Sequence, residues 1–149
     1  MTAPDLLEEL YRNQQRSMRS LAWMLLGDQE SAEDAVQDCF SRLELRSLAG
    51  IDNPAAYLRT CVVNQCRSVM RTRSRFDRRA EPPPALHHDP TTVEFHDALL
   101  NLTSRRRTAV VLRYWCDLPV IEIADLMGCR PSTVSSLLHR ALNDLKEVL

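Results

Sequence analysis

The chain has 149 residues, of which 44% are hydrophobic and 26% charged, and its formal net charge is −1. This composition is typical of a globular protein and excludes a chain that is disordered throughout. Aromatic residues make up only 5% and there are only 3 glycines, which disfavours sandwiches and barrels and favours an all-helical fold.

No membrane span or secretion signal is predicted. The longest unbroken apolar run, residues 21–26, is far shorter than the roughly 18 to 20 residues that cross a bilayer. The acidic N-terminal segment lacks the basic start of a signal peptide. We therefore expect a cytoplasmic protein that does not insert into a membrane.

Three helices are predicted in the first half of the chain, near 5–26, 32–47 and 54–76. Gly27 and Gly50 fall where the first two helices should stop, because glycine tolerates the left-handed conformation that closes a helix. Ser31 followed three residues later by Asp34 resembles a capping box at the start of the second helix.

The third helix has its own start signal. Asn53 supplies an N-cap and Pro54 a proline at the first helical position, where its missing amide costs nothing.

The second predicted helix has two contrasting faces. Its apolar face consists of Ala35, Val36, Cys39, Phe40 and Leu43, and its polar face consists of Asp34, Gln37, Asp38 and Ser41. Such a polar face is most often simply solvent-exposed surface. As a partner surface it would require a basic protein, because its charge repels DNA.

The end of the third helix is strongly basic. Residues 67–79 contain one acid, Asp77, and six arginines, namely Arg67, Arg71, Arg73, Arg75, Arg78 and Arg79. Cations near a helix C-terminus suit the helix dipole, so a solvated helix end is the simple interpretation. Six arginines exceed what the dipole needs, which favours contact with phosphates.

Residues 80–91 are predicted to be a linker. Four prolines in this segment remove amide donors and fix extended dihedral angles, so a helix cannot continue through it. The linker divides the chain into a domain at 1–79 and a domain at 92–149, both small and helical. The cysteines form no CxxC pair and their number, 5, is odd, so reduced thiols are expected and a metal site is not.

The second domain is predicted to contain helices near 92–101, 104–116, 119–127 and 131–148. The last helix has an apolar stripe made of Val134, Leu137, Leu138, Ala141, Leu145 and Val148. Its outward side carries mainly short polar groups: Ser132, Thr133, Ser135, Ser136, His139, Arg140 and Asn143. With Gly128 in the preceding turn, this pattern predicts a helix-turn-helix that binds a DNA groove, although a plain helical hairpin would show the same stripes.

Arg130 stands at the N-cap of that last helix, where arginine is a poor capping residue. A phosphate bound at the helix start would account for it better.

In their order and spacing these segments resemble the extracytoplasmic-function sigma factors. Residues 25–28 and 32–40 resemble the core of the family's region two, and 53–64 the helix that follows. Residues 102–114 together with 118–124 resemble region four, and 133–134 together with 138–141 resemble its recognition helix. Ser135 and Leu137 stand where relatives commonly carry basic residues, and Ser132 where they carry glycine, so we expect Leu137 to join the core.

The resemblance implies a transcription initiation factor, without cofactor or enzymatic activity, that binds RNA polymerase core and promoter DNA. An anti-sigma protein is a further partner it implies. The implied polymerase-binding residues are Asp34, Gln37, Asp38 and Ser41. The residues implied for the minus-ten element are Asn53, Asn64, Arg67, Arg71, Arg73 and Arg75. Those implied for the minus-thirty-five element are Arg130, Ser132, Thr133, Ser135, Ser136, His139 and Arg140.

Two other functions are compatible with the residues alone. One is a self-sufficient helix-turn-helix regulator, which would bind its site without polymerase. The other is an interaction protein whose basic helix binds an acidic partner. An enzyme is disfavoured because the sequence has no phosphate-binding glycine loop, nucleophile motif or metal spacing.

Overall fold

The computed structural model describes residues 3–44, 48, 50–76 and 90–148. These residues form helices and turns, and no strand is found among them, which confirms the predicted all-helical fold. The helices are α1 Ala3–Leu26, α2 Gln29–Glu44, α3 Pro54–Phe76, α4 Pro90–Leu100, α5 Ser104–Val110, α6 Val120–Met127 and α7 Pro131–Val148. Residues 80–89 of the predicted linker, and Arg78 and Arg79, lie outside the described residues.

The chain divides into two compact units, Met1–Glu81 and Pro82–Leu149, hereafter the first and second units. In the first unit α1 packs against α2 and α3, and α2 packs against α3. Fully buried side chains from all three helices form its core, among them Leu21, Leu25, Val36, Leu58 and Val62. Tyr11 of α1 and Phe40 of α2 add an edge-to-face ring pair with centroids 4.9 Å apart.

Glycine closes α1 and α6 as the sequence predicts. Gly27 follows α1 with φ +90°, and its amide donates to the Trp23 carbonyl at 2.9 Å. Gly128 follows α6 in the left-handed conformation with φ +68°. Both turns reverse the chain so that the next helix starts within one or two residues, which brings α2 back onto α1 and α7 onto α6.

The start of α2 differs from the prediction. The helix begins at Gln29, and the Ser31 amide donates to Asp28 Oδ2 at 2.8 Å, so Asp28 is the capping residue. The predicted capping box of Ser31 and Asp34, and a start at 32, are therefore wrong. An aspartate directly after the left-handed Gly27 is already placed to cap, and its carboxylate is a stronger acceptor than a serine hydroxyl. The predicted cap of α3 is confirmed, because Asn53 Oδ1 accepts from the Ala56 amide at 3.1 Å.

The second unit contains α4 to α7. The segment predicted as one helix at 104–116 is α5 followed by a π-helical turn, Val111–Trp115. Arg107 of α5 donates to the carbonyls of Leu99, Leu100 and Leu102 at 3.0 to 3.1 Å, which satisfies acceptors at the end of α4. An Arg106–Asp144 ion pair of 2.7 Å joins α5 to α7.

The buried stripe of α7 follows the prediction in four positions: Val134, Leu138, Ala141 and Leu145 are buried. Leu137 is only partly buried, so the expectation that it joins the core is wrong. The side chain of Val148, the other predicted member of the stripe, lies outside the described residues.

Candidate nucleic-acid and protein-binding surfaces

One side of α2 presents the polar face that the sequence predicts. Asp34, Gln37, Asp38 and Ser41, hereafter the α2 acidic face, are all exposed. The opposite side of the helix is buried against α1 and α3. The exposed acids Glu30, Glu33 and Glu44 lie on the same helix, so its solvent-facing surface carries a high density of negative charge.

A glutamine of α3 connects the two helices at this face. Gln65 Nε2 donates to Asp38 Oδ2 at 3.5 Å, and Gln65 Oε1 accepts from the Arg42 guanidinium at 3.1 Å. Sequence reasoning missed Gln65, because nothing in a single polar residue next to Asn64 signals a contact with another helix.

Three of the residues predicted for DNA contact share one side of α3. Asn64 and Arg71 are exposed and Arg67 is partly exposed. Their spacing of three and four residues places them on neighbouring turns of the same helix side. We call this set the α3 arginine face. The side chain of Arg75 lies outside the described residues.

Asn53 is not part of that face. It is exposed at the opposite end of α3, and its side-chain oxygen is used to cap the helix. With a rise of 1.5 Å per residue, about 16 Å of helix separates it from Asn64. The structure therefore does not bring these two predicted site residues together.

Arg73 is placed differently from the other arginines of α3. Arg73 Nη1 donates to the Leu26 carbonyl, and Arg73 Nη2 donates to Asp28 Oδ1 and Ser31 Oγ, each at 2.5 Å. Its side chain is 35% exposed and that of Asp28 is 14% exposed. The guanidinium grouped by sequence with DNA-contacting arginines is thus engaged within the first unit.

The environment of Asp28 lowers its pKa below 3.8. Partial burial acts in the opposite direction and raises the pKa, but hydrogen bonds from the Ser31 amide and hydroxyl and the Arg73 guanidinium outweigh it. The ionised carboxylate therefore stabilises the folded unit.

Replacing Asp28 by Asn is expected to remove this pH-dependent stabilisation. A carboxyl whose pKa is depressed in the folded state stabilises above its unfolded pKa, and the contribution disappears as the pH falls through the folded value. Asn keeps an oxygen for the cap but loses the ion pair. Urea unfolding should show wild type more stable than Asp28→Asn at pH 6, with the difference shrinking below pH 3.8. A difference that is constant with pH would contradict this assignment.

The outward side of α7 is polar, as predicted. Ser132, Ser135, Ser136, His139 and Arg140 are exposed, Thr133 is partly exposed, and Arg130 is exposed immediately before the helix; this set is the α7 outer face. The Arg130 carbonyl accepts from the amides of Thr133 and Val134 at 3.0 and 3.2 Å, so Arg130 holds the N-cap position that the sequence predicts. Asn143 Nδ2 lies 3.5 Å from His139 Nε2.

The five cysteines are free thiols. Burial raises the pKa of Cys39 and of Cys66 to about 12, so both are protonated and poorly nucleophilic near neutral pH. Among the described residues no cluster of three or more His, Cys, Asp or Glu side chains could hold a metal ion. Within the same ranges, no helix has the length and apolar character that crossing a membrane requires.

Comparison with known proteins relates both units to one family. Residues 10–76 match the family model "Sigma-70 region 2", and residues 92–145 match "Sigma-70, region 4". The RNA polymerase sigma-E factor of Streptomyces avermitilis is 33% identical over 150 residues, covering 95% of this chain and 84% of that protein. The chain belongs to the sigma-70 family of RNA polymerase sigma factors.

This sigma factor is also similar to other members. The sigma-E factor of Streptomyces coelicolor is 31% identical, covering 95% of this chain and 85% of that protein. A probable extracytoplasmic-function sigma factor, SigI of Mycobacterium tuberculosis, is 27% identical over 99% of this chain and 57% of that protein. The solved sigma factor RpoE of Bartonella quintana, in complex with the anti-sigma factor NepR, has a TM-score of 0.78 at 26% identity and covers 95% and 94% of the two chains.

The predicted family is thereby confirmed. The protein is an extracytoplasmic-function sigma factor, a transcription initiation factor that directs RNA polymerase to promoters, and sigma factors as a family are non-enzymatic. The region 2 match covers the α2 acidic face and the α3 arginine face, and the region 4 match covers the α7 outer face.

Proposed function

We propose that this sigma factor binds the polymerase core through the α2 acidic face, captures the melted minus-ten element on the α3 arginine face, and reads the minus-thirty-five element with the α7 outer face. Asn53, at the other end of α3, would lie beside an extruded base held by the loop of residues 48–53. Arg75 would extend the phosphate contacts of α3. Arg73 is left out of the DNA-contacting set because its guanidinium is bonded inside the first unit.

The observation that carries this proposal is the segregation of charge in the first unit. Acids dominate the exposed surface of α2, whereas the α3 arginine face carries Arg67 and Arg71 and no acid. The acidic surface repels phosphates and suits a basic protein partner, whereas the arginines attract a nucleic-acid backbone. One small unit can therefore bind the polymerase and DNA on separate surfaces.

The α7 outer face would recognise the minus-thirty-five sequence mainly through short polar side chains. Serine, threonine, histidine and arginine can all contact base edges in a major groove, and each good pair discriminates against the wrong base by about 1–3 kcal/mol. With little positive charge besides Arg130 and Arg140, the face gains few phosphate contacts. We therefore attribute most of the affinity for the promoter to the polymerase to which the sigma factor is bound.

An anti-sigma protein is a third partner that we propose. The similar sigma factor of Bartonella quintana is bound to one. In the second unit the large apolar side chains Tyr114, Trp115 and Ile121 are 58%, 56% and 67% exposed. Exposed aromatic and aliphatic side chains of this size are typical of protein-binding surfaces. Since all these partners act on transcription, we assign the protein to the cytoplasm.

Fluorescence anisotropy with a labelled promoter duplex tests the proposal. The isolated sigma factor should bind with a Kd in the non-specific range, about 10⁻⁴ to 10⁻⁶ M at physiological salt, whatever the sequence. Adding core polymerase should produce tight binding that depends on both promoter elements. Tight, sequence-specific binding by the isolated chain would instead indicate a self-sufficient regulator.

A further inference from the structure

A single guanidinium connects the ends of all three helices of the first unit. Arg73 lies in the last turn of α3. It donates to the carbonyl of Leu26, the last residue of α1, to Asp28, which caps α2, and to Ser31 in the first turn of α2. We call this set of contacts the Arg73 clasp.

The clasp lies at the end of α2 and α3 that is near both functional surfaces of this unit. Asp34, the first residue of the α2 acidic face, follows Asp28 by six residues, and Arg67 precedes Arg73 by six, so each is about 9 Å along its helix from the clasp. Arg71 is closer still. Gln65 makes a second connection between the same helices through Asp38 and Arg42. Two cross-links thus fix how far α3 can slide or rotate against α2.

We infer that Arg73 is a positioning residue: it does not contact DNA, but holds the α3 arginine face in register with the α2 acidic face, so that a polymerase-bound sigma factor presents Arg67 and Arg71 to the minus-ten element during strand opening. This inference rests on the proposed function. It follows from the geometry of one planar group that already donates to three oxygens on two other helices.

Replacing Arg73 by lysine distinguishes the effect of its hydrogen-bond geometry from the effect of its positive charge. A guanidinium donates through several N–H groups in a fixed fork, whereas an ammonium is a compact point charge. Lysine at position 73 keeps the positive charge but cannot reproduce bonds from two nitrogens to three separated oxygens. Arg16 is an exposed arginine of α1 that belongs to neither functional surface, and lysine at position 16 keeps its charge. The two substitutions leave the net charge unchanged and therefore form a matched pair.

The experiment measures promoter opening by reconstituted holoenzyme at 20 °C with wild type, Arg73→Lys and Arg16→Lys, each first shown to be folded by circular dichroism. On a duplex promoter we expect Arg73→Lys to slow opening at least about tenfold and Arg16→Lys to open at the wild-type rate. Affinity for the core should not change in either variant, because the α2 acidic face is intact. Opening by Arg73→Lys at the wild-type rate would overturn the inference.

The salt dependence of binding to a promoter already melted at the minus-ten element provides the second readout. Each phosphate contact on single strands contributes about −0.7 to the slope of log K against log salt concentration. Arg71→Ala should reduce the magnitude of this slope by about 0.7, and Arg73→Ala should leave it unchanged. An equal loss in Arg73→Ala would show that Arg73 contacts a phosphate and would also overturn the inference.

The Asp28→Asn substitution changes an acceptor of the Arg73 clasp instead of its donor. This variant keeps an oxygen at the cap and changes no DNA-facing residue, and it should reproduce the opening defect of Arg73→Lys with an unchanged salt slope. Normal opening by folded Asp28→Asn would contradict the inference even if the Arg73 variants failed to fold. Failure of the wild-type holoenzyme to open any promoter would refute the proposed function itself, and with it the inference.

Discussion

Replacing both Asp34 and Asp38 by lysine is expected to abolish assembly with RNA polymerase core. Both carboxylates are exposed on the α2 acidic face. Placing cations against a basic partner costs several kcal/mol, so we expect the affinity for core to fall roughly 100-fold or more. Competition for core against the wild-type sigma factor measures the effect, and promoter-dependent transcription should fall in parallel.

A matched control is available on α1. Glu8 and Glu9 are exposed there, so changing both to lysine alters the net charge by the same amount at another surface of the unit. Glu8 makes a solvent-exposed ion pair with Arg12, which contributes little to stability. We expect this variant to bind core normally. Core binding of the Asp34 and Asp38 double variant at the level of this control would contradict the assignment of the α2 acidic face.

Arg140→Ala is expected to weaken recognition of the minus-thirty-five element. Arg140 is an exposed cation on the α7 outer face, and a bidentate arginine contact to a base is worth about 1–3 kcal/mol, or roughly 5- to 150-fold. Transcription should be compared on two promoters that share a minus-ten element but differ in whether the upstream element is present. The loss should appear only where that element is present.

Lys146→Ala is the control for charge on the same helix. Lys146 is also exposed, but it lies near the C-terminal end of α7, more than one turn beyond Arg140. Its removal should change transcription by no more than about twofold. Equal losses on both promoters for Arg140→Ala would show a general role in binding, and no loss on either would remove Arg140 from the recognition surface.

The helical elements and their buried faces could be predicted because they depend on local patterns. The apolar residues of α2 recur at helical spacing, and residues such as Val36 and Phe40 are buried as that spacing requires. Glycine marks the helix ends through its tolerance of positive φ, as at Gly27 and Gly128. These signals involve residues that are close in sequence.

The contacts that join distant segments could not be predicted. Arg71 and Arg73 stand two residues apart in the same basic segment, yet one is exposed and the other reaches Asp28, 45 residues earlier in the chain. Only the packing of α3 against the turn between α1 and α2 decides which arginine does so. The same holds for Gln65, whose partners Asp38 and Arg42 lie on another helix.

Two predictions from local sequence patterns, the cap of α2 and the burial of Leu137, were wrong for related reasons. Ser31 has the sequence signature of an N-cap, but Asp28 stands at the first position the chain offers after Gly27 and takes that role. Leu137 fits the apolar periodicity of α7, but burial depends on which neighbours cover the helix margin. In the first case a competing residue outweighs the local pattern, and in the second the pattern alone does not decide the degree of burial.

Transcription by core polymerase on a library of promoter fragments, with and without this chain, tests the central claim most directly. We predict that start sites appear only when the chain is present, and that they lie downstream of one shared pair of minus-ten and minus-thirty-five sequences. The same start sites with core polymerase alone, or none in either reaction, would contradict the conclusion that this chain gives the polymerase its promoter specificity.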